Sequence, residues 1–95
     1  MGSDAVGVAP VNTVNYNAGR KTITFTNRST AGQIIYLDNV RPEGLTTLNA
    51  GYILSPGAAI SFLLDQDGPD IQGPWSAIAD AAGGLLYSKE TNIRR

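Results

Sequence analysis

The chain contains no cysteine and no histidine, and those two absences exclude more chemistry than any motif adds. Without cysteine there is no disulfide framework, no thiolate nucleophile and no sulfur metal site. Without histidine the usual general base, the commonest metal ligand and the Ser-His-Asp arrangement are gone. Charge is also scarce: 16% of residues are charged, against roughly 25% in ordinary soluble domains. The balance of 7 Lys+Arg against 8 Asp+Glu leaves a net charge of −1. That gives no basic field to attract phosphate backbones, so no nucleic-acid partner is expected. No apolar run approaches the roughly 18–20 residues that span a bilayer, and no membrane partner is expected. The start Met1-Gly2-Ser3-Asp4 has neither basic residues nor an apolar stretch, which predicts no signal peptide.

What is present is β vocabulary in one domain's worth of chain. Ninety-five residues, 42% of them hydrophobic, build one modest core. Eleven Gly and five Pro divide the chain into short elements rather than long helices. Lys21 to Asn27 alternates Ile23 and Phe25 with Thr22, Thr24 and Thr26, the period of a half-buried strand. Further strands are expected at Val11 to Tyr16, Gln33 to Leu37, Gly51 to Leu54, Ala58 to Asp65, Trp75 to Asp80 and Leu85 to Glu90. Ser55-Pro56-Gly57 fits a type II turn, because Pro presets φ and Gly accepts a positive one. The expected fold is all-β: a small single-domain β-sandwich or jelly-roll-like barrel of about six to seven short antiparallel strands. Residues 1–10 read as an extended N-terminal arm, 11–90 as the β-sandwich domain and 91–95 as a C-terminal tail.

Candidate chemistry is thin. Asp65, Asp67 and Asp70 share one Gly-Pro loop that offers oxygen ligands to a hard cation. An EF-hand match fails, since Ser76 stands where a bidentate Glu is needed. The competing reading is a solvated turn whose carboxylates cap local amides. The same acids do not make a glycosidase pair, which requires opposed carboxyl groups about 5–9.5 Å apart across a cleft. No catalytic residue, metal site or cofactor is therefore expected. Tyr16, Tyr36, Tyr52, Tyr87 and Trp75 offer a platform for stacking sugars, or else pack in and beside the core. Trp75 follows Gly73-Pro74 and is a candidate partner contact as well as a core residue. Val6 and Val8 alternate along the arm, and Arg94-Arg95 forms a compact cationic end. Together Val6, Val8, Trp75, Arg94 and Arg95 are the candidate partner-binding residues.

The segments Arg20-Lys21-Thr22-Ile23-Thr24-Phe25-Thr26-Asn27, Ile35-Tyr36-Leu37, Gly51-Tyr52-Ile53-Leu54-Ser55-Pro56-Gly57 and Trp75-Ser76-Ala77-Ile78-Ala79 follow one another in that order. That order resembles a pattern in small virion proteins of tailed bacteriophages. The resemblance covers roughly Gly19 to Tyr87. Asp38 stands where the family often has Gly, and Trp75 where it has Tyr. The resemblance implies a non-enzymatic head cement or decoration protein that binds the major capsid protein or other virion proteins. It also implies a homo-oligomer, a trimer being favoured, on the exterior of the capsid. A tail, collar or fibre module for host adsorption, with glycan binding through exposed aromatics, is the alternative.

Overall fold

Alternation at period two becomes eight strands in the structure, a computed structural model that describes residues 2–39 and 43–92. They are β1 (Gly2–Val6), β2 (Val11–Val14), β3 (Arg20–Asn27), β4 (Ile35–Asp38), β5 (Tyr52–Leu54), β6 (Ala59–Leu63), β7 (Trp75–Ala79) and β8 (Gly84–Asn92). A single helical turn, α1 (Leu64–Asp67), and a 3-10 turn at Pro69–Gln72 lie between β6 and β7. Two four-stranded sheets result, in the orders β1-β8-β3-β6 and β2-β7-β4-β5. Every pairing is antiparallel. Four of them join first to last: β1 with β8, β2 with β7, β3 with β6 and β4 with β5. A long hairpin rolled up on itself gives that nesting, and the architecture is a jelly roll.

The expected all-β sandwich is therefore present, with eight strands instead of six or seven. The additional strand is β1, which lies within the expected N-terminal arm. It pairs with β8 from Gly2 opposite Ser88 to Val6 opposite Gly84. Its partner lies some eighty positions downstream, so no local pattern announces it. Gly84 makes the close approach possible: a Cβ there would stand 2.6 Å from the Val6 carbonyl oxygen. The strand expected at Ala58 to Asp65 ends at Leu63, and Leu64–Asp67 and the following Pro69–Gln72, in the loop expected after it, form two single helical turns too short for any periodicity to show.

The core fills the space between the sheets. Ile23, Phe25 and Phe62 face it from one side, and Ile35, Leu37, Leu54, Trp75 and Ala77 from the other. Trp75 is the hub, with ring centroids 5.1 Å from Phe25, 4.8 Å from Phe62 and 5.9 Å from Tyr52. Its indole N–H donates to the Ile71 carbonyl at 3.2 Å, so the polar edge of a buried ring is satisfied. The expected turn at Ser55-Pro56-Gly57 closes with Ala58 N–H donating to Ser55 O at 2.9 Å and Gly57 at φ 84. Among the described residues no helix is long and apolar enough to cross a membrane.

Candidate functional site

β3 carries a buried polar residue at each end, and together they fasten both ends of the sandwich. Strict alternation from Ile23 and Phe25 places Arg20 on the outer face beside Thr22. A register shift in the β3–β8 ladder between Arg20 and Thr22 reverses that. An irregularity of this kind re-aims a side chain, and here Arg20 is 1% exposed while Lys21 is exposed. Its guanidinium Nε meets Glu90 Oε2 at 2.5 Å. Nη1 donates to Ile71 O at 2.7 Å and Gly73 O at 2.9 Å, and Nη2 donates to Asn15 O at 2.8 Å. One planar fork thus ties β8, the 3-10 turn and the β2–β3 loop together. At the other end, buried Asn27 donates from Nδ2 to Gln33 O and Leu54 O, and its Oδ1 accepts from Ser29 N–H. Leu54 belongs to the opposite sheet, so this amide bridges the two layers.

The Arg20 end carries the longer connections. The β2–β3 loop, 15–19, is held on both sides of Tyr16. Asn17 N–H donates to Gln72 O at 2.7 Å, and Gln72 Nε2 donates back to Ala18 O at 2.8 Å. Asn17 Nδ2 donates to Glu90 Oε1 at 3.2 Å and Asn92 Oδ1 at 2.9 Å, while its Oδ1 accepts Gly19 N–H at 3.0 Å. Tyr16 stands on this loop, 68% exposed. In the same region an open depression of about 250 Å³ is lined by Asp38, Glu43, Gly44, Leu45 and Asn49. The Asp38 carboxylate there accepts the Asn39 and Gly51 N–H groups and so fastens the base of the β4–β5 connection. Leu48, 95% exposed, tips that connection on a turn cross-linked through Thr46 and Asn49.

The candidate partner-binding residues separate. Val6 and Trp75 lie in the core, 1% and 2% exposed, and present nothing to a partner. Val6 is inside because β1 enters the sheet, and Trp75 because it starts a strand whose alternate residues all face inward. Val8, just beyond β1, is 65% exposed. Arg94 and Arg95 lie outside the described residues. Of the expected aromatic platform, Tyr52 packs against the core and meets Phe62 edge-on at 5.0 Å. Tyr36 and Tyr87 are half-buried on strands of opposite sheets, so the five rings form no common surface. In the acidic loop, Asp67 Oδ2 accepts the Leu63 N–H at 2.8 Å, an amide-capping role. The side chains of Asp65 and Asp70 lie outside the described set. The Thr stripe faces out, where Thr22 hydrogen-bonds Thr91 at 2.7 Å and Thr24 bonds Ser61 at 2.8 Å.

No family model matches the chain, and searches among curated proteins and among solved structures find no match. The functional reading therefore rests on the residues and the fold.

Proposed function

We propose that the chain is a non-enzymatic structural protein of a tailed-phage virion. Its role in this reading is that of a head cement or decoration subunit, which binds the major capsid protein on the outside of the shell and stabilises it. The observation that carries the reading is the jelly-roll topology in a chain without histidine or cysteine. That architecture recurs in capsid proteins as well as in lectins and cupins. Cupin-type metal chemistry relies on imidazole ligands that this sequence cannot supply. The resemblance of the segments from Arg20 to Ala79 to those of small virion proteins favours the capsid reading over the lectin one.

The physics of the domain agrees with a packed, many-copy role. A domain this small has a thin stability margin and gains from any surface that binds only its folded form. Trimers seated on the shell would add that gain three chains at a time. The test is co-sedimentation of the purified chain with expanded heads of the virus that encodes it. Saturable binding, with heads then resisting heat or chelator, supports the reading. Binding to tails alone moves the chain to the adsorption apparatus.

A further inference from the structure

Tyr16 is a large aromatic side chain, 68% exposed, on a loop hydrogen-bonded on both sides of it. Its hydroxyl and ring have no partner among the described residues, yet the backbone around it is held on both sides. Arg20 holds the carbonyl of Asn15, and Gln72 holds both the amide of Asn17 and the carbonyl of Ala18. Glu90 and Asn92 hold the Asn17 amide side chain, and Asn17 itself closes onto Gly19. The innermost brace is a buried arginine, an expensive group to take out of water. The fork that fastens this end of the sandwich also fixes the loop that carries Tyr16.

From this geometry we infer that the loop Asn15-Tyr16-Asn17-Ala18-Gly19 is a preformed contact loop, with Tyr16 as the anchor that enters a pocket on a partner protein. Three features favour a protein as the partner. Tyrosine is among the side chains that carry most of the energy at protein interfaces, because it buries a large rigid ring and keeps one polar tip. A loop of Tyr, Asn and Gly has the composition of binding loops that join a rigid aromatic to adaptable amides. The bracing removes the ordering cost that a mobile loop would meet on binding. The other exposed apolar groups are all aliphatic; Ile53, Leu63 and Leu85 stand on strands rather than on a projecting loop. Leu48 is on an ordered turn, but leucine is under-represented among such anchors. Val8 is small and sits at the opposite end, where Gly7 O accepts the Ala79 N–H. The partner surface is expected to offer an apolar-walled cleft with a hydrogen-bond acceptor at its base for the phenol. This assignment rests on the virion reading and names the surface that such binding would use.

The experiment measures affinity for expanded heads that lack this chain, for wild type, Tyr16→Ala, Tyr16→Phe, Asn17→Ala and Val8→Ala. Tyr16→Ala is expected to bind at least about 30-fold more weakly, the loss typical of an interface anchor, with an unchanged melting temperature. Tyr16→Phe retains the ring and is expected to lose less than tenfold. Asn17→Ala loosens the loop and is expected to bind about 2- to 10-fold more weakly, through faster dissociation. Val8→Ala is expected to bind as wild type does. Tyr16→Ala binding as well as wild type overturns the assignment of the loop and leaves the virion reading standing. A loss confined to Val8→Ala does the same and moves docking to the opposite end. Wild type that binds neither heads nor tails overturns the virion reading and this inference with it. Binding on a glycan array that disappears in Tyr16→Ala gives the ring to a sugar and overturns the protein partner.

Discussion

Replacing Arg20 by Met tests the internal clasp on which the loop depends. Methionine reproduces the unbranched stem and removes the fork. Four hydrogen bonds go with it: to Glu90, Ile71, Gly73 and Asn15. Ile71 O still receives the Trp75 indole, while Gly73 O and Asn15 O lose the Arg20 donor and lie near enough to the surface for water to reach. Glu90 keeps only its longer bond from Asn17, and its side chain is 22% exposed, so it rehydrates in part. Breaking a buried pair by removing one partner costs about 3–5 kcal/mol, and the partial access of water places this case near 3 kcal/mol. At about 4–8 °C per kcal/mol for a domain of this size, the melting temperature should fall by roughly 12–24 °C. Urea unfolding followed by Trp75 fluorescence measures the loss directly, with an unchanged denaturant slope if the fold is retained. Adding Glu90→Gln to the variant should recover part of the stability by removing the stranded charge. A loss below about 1 kcal/mol would refute the view that Arg20 fastens this end of the sandwich.

Other consequences follow from the same packing. Trp75→Ala removes the centre of the aromatic cluster and should cost about 3–5 kcal/mol in the same unfolding assay, often enough to unfold a marginal domain. Asn27→Ala strands the Gln33 and Leu54 carbonyls in a dry site and should cost about 2–4 kcal/mol, read by thermal unfolding. Gly84→Ala pushes a methyl against the Val6 carbonyl. It should detach β1, seen as a selective loss of amide hydrogen-exchange protection at residues 2–6. Tyr16→Ala alters only an exposed ring and should leave stability within about 0.5 kcal/mol of wild type.

Seven of the eight strands were legible because each is local: a short apolar alternation bounded by Gly, Pro or Asn. The turn at Pro56-Gly57 was legible for the same reason. What stayed hidden depends on distant partners. β1 has no identity without β8, and Val6 reads as an exposed arm residue until that pairing buries it. Arg20 lies one residue before the expected strand Lys21 to Asn27, and period two cannot anticipate the register shift that turns it inward. Its low-charge surroundings were the available signal: in a chain with so few charges, an arginine heading the clearest strand has unusual weight. Asn27 closed the same segment, and both polar ends of Arg20-Lys21-Thr22-Ile23-Thr24-Phe25-Thr26-Asn27 proved to be buried fasteners. Tyr16 was one of five aromatic candidates in the sequence. Only the burial of Trp75, the core packing of Tyr52 and the strand positions of Tyr36 and Tyr87 single it out.

The most direct test of the account is electron cryo-microscopy of the encoding virus, grown with and without an intact gene for this chain. The account predicts many copies of a small jelly-roll density on the outside of the head, absent from the deletion particles, with the 15–19 loop turned toward the shell. Virions that contain no copy of the chain, or that carry it only away from the head, would contradict it.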